Sequence, residues 1–419
     1  MTLLLLSLLG CDPFASWPDP TTVFPYVTTP ETDLPDYAHV RVETETWTPL
    51  VDIEETALYI EKSFAHRPSA PIETLVHFGE QRKALAPPVP GDLLLHFGGD
   101  LLPVSDEPVD WSALTPHLHG QVGFANLETP VAPRLDTLGS IYSFNAEPAF
   151  LAGVPFEILQ LNNNHTLDAG DDGVVATVAN VRTAGFVAVG VDDHVLIDID
   201  GQSVAYLTYT WGLNQAVDTD HELFVVPFGH LGPVDLSPVA ADIRAARDRG
   251  ADLVVVGVHW GYEYEYYPDP LQLQRARDLV IAGADVVVGH GPHVAQPIEL
   301  CTVNDPGEPP GIGRCSVQTD DGRPRVAAVL HSLGNLTSDM ATVATQVGIV
   351  AHVSVAPDQG VTGVAWLPTV TVDGPEGPAV VPLDELTLEM AGDEASLQAY
   401  TEESARLDAH MGRRGRQLP

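Results

Sequence analysis

The sequence predicts an α/β fold built on a mixed sheet or two stacked sheets, and three observations carry that prediction. From residue 91 onward, short apolar runs alternate with stretches of helical spacing. Glycine closes each helical stretch, at Gly185, Gly250 and Gly283. Late in the chain, Val347–Val355 and Val361–Val372 are β-branched runs that read as antiparallel strands. With 419 residues, 44% of them hydrophobic, the chain can bury a large core and is too apolar for a disordered protein.

Taken in order, residues 1–11 carry the apolar run Leu3–Leu9. It is too short to span a bilayer and has the length of a signal peptide. Leu8-Leu9-Gly10-Cys11 resembles a bacterial lipobox, in which Cys11 becomes the lipidated first residue of the mature protein. A plain secretory signal or a chance apolar start stays open, and the absence of Lys or Arg before the run departs from the usual positive n-region. The expected location is the cell envelope, lipid-anchored to a bacterial membrane and facing the extracytoplasmic side. Asp12 resembles an inner-membrane retention signal of some Gram-negative bacteria. Residues 12–35, rich in Pro, Thr and Asp, read as a flexible tether. Residues 36–90 form an N-terminal extension. It has weak alternation over Tyr37–Thr46, helical spacing over Ile53–Phe64 and a firm stop at Pro87-Pro88-Val89-Pro90.

The main domain is expected over residues 91–372. Leu93–Phe97, Val122–Ala125 and Phe156–Leu161 read as strands. Asp171–Ala184 has helical spacing, with Val174, Val175, Val178 and Val181 on one side and acidic residues in its first turn. Val195–Asp200 and Ser203–Thr208, joined at Asp200-Gly201, read as a hairpin. Helices over Pro238–Arg249 and Leu271–Ala282 alternate with strands over Leu253–Val258 and Asp285–Val288, and Arg325–Leu330 is a further strand. The tail, residues 373–419, is Pro/Gly-rich and then weakly helical from Ala395. It ends in a basic cluster, Arg413, Arg414 and Arg416, that reads as a solvated end.

Charge narrows the function classes. The formal net charge is -39, a surface that repels polyanions, so nucleic-acid binding is not expected. Cys301 and Cys315 bracket a Pro/Gly-rich loop. In an oxidising compartment they can pair as a disulfide; two free thiols are the alternative.

The chemistry stands at the strand ends. Asp100, Asn126 with Glu128, Asn164 with His165, His259, and then His290 with His293 close five separate strand-like runs. Strand carboxyl ends in an α/β sheet share one edge, so these residues can converge. Carboxylate, amide oxygen and imidazole together suit divalent transition ions such as Mn, Fe or Zn. A bridging carboxylate would hold two of them roughly 3.5–4 Å apart and make water a nucleophile at neutral pH.

The motifs FGGDLLP, FANLETPV, LNNNHTLDAGDDGV, VGVHWGYEYEYYP, GADVVVGHGPHVAQPIE and HSLGNL stand in this order. As a set they resemble the capsule-synthesis family CapA, known for poly-γ-glutamate production, which looks like a branch of the calcineurin-like metallophosphoesterases. The resemblance covers about residues 92–340. It implies a four-layer α/β/β/α sandwich with a dinuclear metal site between two sheets. Carried over by motif, Asp100 is the first metal-binding aspartate and Glu128 takes the place of the metal-bridging carboxylate. Asn164 binds the second metal, and His259, His290 and His293 complete the two spheres. His165 is the proton donor or oxyanion stabiliser. Glu263, Gln296, Glu299 and Asn335 take supporting or substrate-facing roles. Two positions depart from the phosphoesterase pattern: Leu102 stands where a histidine is usual, and Gly291 replaces a bulkier residue.

Blander readings stand beside these. Asn126 can cap a turn. Asp168 can order the loop before the helix beginning near Asp171. Asn162 and Asn163 read as structural, and His96 and His331 as core histidines. The stretch Trp260, Tyr262, Tyr264, Tyr266 and Tyr267 either lines substrate or packs under the sheet rim. Two functions follow. One is a metal-dependent hydrolase or transferase acting on a cell-envelope polymer or its precursor. The other is a non-catalytic assembly or export factor for a surface polymer, working with membrane-bound synthesis proteins and holding a structural or ligand-binding metal.

Overall fold

Apolar runs this short bury themselves only by pairing with one another. The computed structural model describes residues 27–31, 39–42, 70–105, 107–138, 143–215, 217, 219–226, 234–307, 310–374 and 377–412. Cys11 and its lipobox, most of the expected tether, the Ile53–Phe64 helix and Arg413, Arg414 and Arg416 lie outside the described residues.

In chain order the strands and main helices are β1 (Val27–Glu31), β2 (His39–Val42), α1 (Ile72–Ala84), β3 (Leu93–Leu101), β4 (Val122–Leu127), β5 (Ile158–Gln160), α2 (Gly170–Thr183), β6 (Val187–Val189), β7 (Val195–Ile199) and β8 (Gln202–Thr210). They continue with α3 (Ser237–Asp248), β9 (Leu253–His259), α4 (Pro270–Ala282), β10 (Val286–His290), β11 (Ile298–Val303), β12 (Cys315–Val317), β13 (Arg325–Leu330), β14 (Asn335–Thr337), β15 (Val347–Ala356), β16 (Gly360–Gly374), β17 (Gly377–Pro382) and α5 (Glu394–Leu407). β1 and β2 pair only with each other, antiparallel.

The remaining strands form one mixed sheet in the order β6-β5-β4-β3-β15-β16-β13-β10-β9-β8-β7, with β11 and β12, β14, and β17 added beside β13, β3 and β16. β3 to β6 run parallel, as do β8, β9, β10 and β13. The late pair β15 and β16 is antiparallel, as the sequence predicts. A single residue pair, Val326 with Gly360, joins β13 to β16. The far ends of the path also approach one another. Just past β5, Asn162 Nδ2 donates to Thr208 O of β8 at 2.9 Å. The expected mixed sheet is therefore present, and its hydrogen-bond ladder runs as one barrel-like path.

Strand alternation places the core. Leu253 and Val255 of β9 face one apolar cluster that also takes Phe97, Ile158, Val288, Ile349 and Trp366. Val254, Val256 and Val258 face a second, with Val239 and Ile243 of α3 and Leu279 of α4. Both faces are covered, which is why these strands are apolar without a polar alternate. Across the interior, Phe124 of β4 stacks on Tyr206 of β8 with centroids 5.7 Å apart. α2 buries Val174 and Val181 in a third cluster. Val175, expected on that same face, is 51% exposed, because one residue of helix turns it about 100° away from Val174. The Asp200-Gly201 turn has φ of 53° and 83°, the two positive values that a tight hairpin turn needs.

The Pro/Gly-rich stretch after Gly374 contains β17, an edge strand on β16 that tolerates Pro378 and Pro382. Beyond it, Tyr400 and Leu407 of α5, and Met411, join the main core, and Trp366 Nε1 donates to Gly412 O at 3.3 Å.

Candidate metal centre

The site begins with two glycines. Between Phe97 and Asp100, β3 carries one residue more than β4 opposite it, which is a β-bulge at Gly98-Gly99. A Cβ on Gly99 would lie 2.0 Å from Gly334 O, so only glycine lets the loop before β14 approach. That approach is fixed by Asp100 N donating to Gly334 O at 2.9 Å. The bulge sets Asp100 directly beside Asn126 of β4 and Asn335 of β14. On the other half of the sheet, His290 at the end of β10 pairs in register with His259 at the end of β9. The following turn, Gly291-Pro292-His293, ends with His293 at φ 59°, a left-handed backbone strained for a non-glycine residue.

These elements bring together the residues that the sequence singles out. Ligand atoms of Asp100, Glu128 and His293 all lie within 4.8 Å of one another, fully buried. Glu128 Oε1 is 3.6 Å from His259 Nε2, 3.8 Å from His293 Nε2 and 4.0 Å from His165 Nε2. Asp100 Oδ1 is 3.0 Å from His290 Nδ1, and Asp100 Oδ2 is 3.8 Å from His293 Nδ1. Donors sharing an ion at about 2.1 Å stand roughly 3.0–3.5 Å from each other, so this spacing is close to that of a coordination shell.

The orphaned atoms give the sharper test. Both carboxylate oxygens of Glu128, Nε2 of His290 and Oδ1 of Asn164 are buried without a hydrogen-bond partner. Buried polar atoms are otherwise almost always satisfied. Burial pushes the Glu128 carboxyl well above its ordinary range, and the charges of Asp100 and Glu263 push it further. Asp100 behaves oppositely. Burial raises it, but contact with His290 and the charges of His290, His259 and His293 outweigh that and hold it well below the usual carboxylate range. Burial drives the His259 imidazole down to about 3, the Asp100 charge only partly opposing this. A His259 imidazole that burial keeps neutral, beside a Glu128 carboxyl whose charge burial disfavours, fits a site completed by a divalent metal.

Residues 90–340 match the model of the bacterial capsule synthesis protein family PGA_cap. The chain belongs to that family. It is 33% identical over 157 residues to the capsule biosynthesis protein CapA of Bacillus anthracis, covering 35% of this chain and 36% of that protein. It is 31% identical over 160 residues to the PGA biosynthesis protein CapA of Bacillus subtilis, covering 36% and 40%. A probable polyglutamine synthesis accessory protein of Mycobacterium tuberculosis is 27% identical over 223 residues, covering 46% and 57%. The chain thus spans well under two thirds of the length of these relatives. Among solved structures, a 5′-nucleotidase precursor from Thermus thermophilus aligns with 75% of this chain and 59% of its own, at a TM-score of 0.37 and 12% identity.

In this family member the supporting groups are as well defined as the cluster. Asn335 Oδ1 lies 2.9 Å from His293 Nδ1, and its Nδ2 donates to Thr345 O at 2.8 Å. An Nδ1–H held this way leaves His293 Nε2 free to face Glu128. Asn126 does more than cap a turn: its Nδ2 donates to Asp100 Oδ1 at 2.9 Å. Its Oδ1 accepts from Asn163 Nδ2 at 3.0 Å. Asn163, read as structural, therefore fixes the orientation of Asn126. Asp168 does more than order the loop before α2. One carboxylate oxygen lies 2.6 Å from His165 Nδ1 and also accepts from Phe144 N at 2.7 Å. The Phe144 ring packs on His165 with centroids 4.4 Å apart.

Glu263 acts on Glu128 through its charge. Gln296 donates to Glu265 O at 2.8 Å and straps down the aromatic loop. Glu299 is fully buried; its Oε1 lies 2.6 Å from His77 Nε2 and 2.7 Å from Arg277 Nη2. The aromatic stretch divides. Trp260 and Tyr262 pack in the core, Tyr264 lies beside His293 with centroids 6.2 Å apart, and Arg406 sits over Tyr266 at 4.0 Å. Sequence reasoning missed Asn214, whose backbone N donates to Asn164 O at 2.7 Å and whose Nδ2 is 3.4 Å from the His165 ring nitrogens. A lone Asn in an irregular loop after β8 gives no sequence signal.

Proposed function

We propose that this protein is a metal-dependent hydrolase or transferase of the CapA type. It is anchored at the extracytoplasmic face of a bacterial membrane through Cys11 and acts on a capsule polymer, poly-γ-glutamate-like, or on its precursor. The observation that carries this reading is Glu128, a fully buried carboxylate without a hydrogen-bond partner, ringed by His165, His259 and His293. Asp100, Glu128, Asn164, His259, His290 and His293 would hold two ions of the Mn, Fe or Zn class. Such ions supply Lewis acidity at a phosphoryl or carbonyl oxygen and a nucleophile at neutral pH. The protein groups then divide the remaining work. Asp168 fixes the Nδ1 side of His165 and leaves Nε2, 4.0 Å from Glu128, as the atom that gives a proton to a leaving group. Phe144 covers the imidazole and limits its contact with water.

The same reading treats the curled sheet as two leaves of a four-layer α/β/β/α sandwich, separable at the single Val326–Gly360 pair. His165→Ala is the test: turnover of a responsive envelope substrate falls while metal content stays. Unchanged turnover would remove His165 from the chemistry. For the anchor, the intact mass of the mature membrane-extracted protein is expected to begin at Cys11 and carry lipid; a chain starting earlier without lipid contradicts it.

A second reading is favoured by one observation, the name of the mycobacterial relative as a synthesis accessory protein. Here the centre is structural or holds polymer ends, alongside membrane-bound synthesis proteins. The net charge of -39 opposes long-range attraction of an anionic polymer, so the metal and a few arginines would hold it locally. Polymer retained by wild type but not by metal-stripped protein, without turnover, supports this second reading.

A further inference from the structure

Away from the metal cluster, α1, α4 and the loop closed by the disulfide line an open cavity of about 310 Å³. None of its lining residues belongs to the metal cluster. Leu273 of α4 and Ile312 of the loop supply apolar wall, and His77, Arg277 and Arg314 supply polar groups. This is the composition of a small-molecule site: mostly apolar, with a few converging polar groups.

The arrangement is held from several directions. Cys301 of β11 and Cys315 of β12 are directly opposed in the sheet and joined by the disulfide, which ties down the segment carrying Ile312 and Arg314. His77 Nδ1 accepts from Gly313 N at 2.9 Å, pinning that segment to α1. Glu299 holds one side of Arg277 at 2.7 Å. Burial would raise the Glu299 carboxyl, but the nearby His331 and His77 and the Arg277 charge outweigh it and hold the group well below the usual carboxylate range. Arg277, a third exposed, keeps a face on the cavity. Arg314 is exposed and makes no ion pair among the described residues. Only 19 of the 419 residues are Lys or Arg, so two arginines around one cavity are a marked local departure.

We infer that this cavity binds a carboxylate on a short aliphatic body, with the carboxylate at Arg314 and Arg277 and the body against Leu273 and Ile312. Glu73 also lines the cavity, and Glu299 already balances Arg277. A carboxylate, which sets one charge at the arginines, therefore suits the balance better than a phosphate, which sets nearly two there. Such a group occurs on free dicarboxylates and on the chain ends of an acidic polymer. The inference stands whether or not the metal centre is catalytic.

The test is isothermal titration of the oxidised protein with glutarate, neutral glutaramide, a short γ-linked glutamate oligomer and inorganic phosphate. Saturable binding of glutarate or of the oligomer, with none for glutaramide, is expected, and the tighter of the two identifies the source. Arg314→Gln should weaken that binding at least about tenfold, as loss of a charge-assisted hydrogen bond does, with its melting temperature unchanged. Arg277→Lys, which keeps the charge opposite Glu299, should weaken it as well. Equal binding of glutaramide, preference for phosphate, binding indifferent to Arg314→Gln, or no saturable binding of any probe would overturn the inference.

Discussion

His293 shows how much one residue can carry. Its backbone is left-handed at φ 59°, a conformation that costs a non-glycine residue about 1–2 kcal/mol. The compensation is local: Asn335 receives its Nδ1 at 2.9 Å, so Nε2 faces Glu128 at 3.8 Å. Removing that acceptor leaves the ring free to rotate. Asn335→Ala should therefore lower metal affinity about 10–100-fold, as loss of an outer hydrogen bond to a ligating histidine does. Titration against a competing chelator reads it directly, and an unchanged affinity would mean that His293 is oriented by something else. Much of the cluster was legible residue by residue, because each member closes a strand-like run. Asn335's partner was not, since the contact joins positions 42 residues apart across a loop. Nor was the burial of Glu299, whose partner His77 lies in the N-terminal extension, 222 residues away.

At the scale of elements, strands were easy to see and their joints were not. β9 and β10 stood out because both faces are buried and the runs are apolar throughout. Gly98-Gly99 looked like a strand end, whereas β3 continues through it to Leu101 with a bulge. β11, β12 and β14 are short and mostly mixed in polarity, and β17 is Pro-flanked, so periodicity had little to grip. The bulge gives a sharp prediction. A Cβ at position 99 meets Gly334 O at 2.0 Å, and backbone has no rotamer with which to escape. Gly99→Ala should destabilise the protein by about 3 kcal/mol, as overpacking at a rigid contact does, and should lower metal content by displacing Asp100. Urea unfolding and metal analysis of one preparation test both. A variant of wild-type stability with full metal would show that the loop before β14 is free to move.

At the scale of the molecule, the βα alternation and the late antiparallel pair disclosed a mixed α/β architecture, while the closing of the sheet on itself depends on contacts no local pattern encodes. The assembled core also buries histidines whose titration shapes stability. His352 of β15 pairs across the sheet with His96 of β3, and its Nε2 lies 3.0 Å from His117 O. Burial, aided by His96, His119 and His117, pushes the His352 imidazole down to about 3, while the His117 carbonyl partly opposes the shift. Burial also lowers His96. The unfolded chain therefore binds protons below its ordinary value of about 6.5 that the folded chain refuses. Stability is fully present above that value and falls as pH drops toward 3. Denaturant unfolding of metal-free protein at pH 7.5 and pH 5 should show the loss, and His352→Leu should shrink it; a profile flat across that range would contradict the assignment.

The most direct measurement of the central claim is metal content by mass spectrometry on soluble protein beginning after Cys11, with His293→Ala prepared alongside. The metal centre predicts about two transition-metal ions per chain, reduced in the variant. A wild-type protein that holds none and takes up no added Mn, Fe or Zn would contradict it.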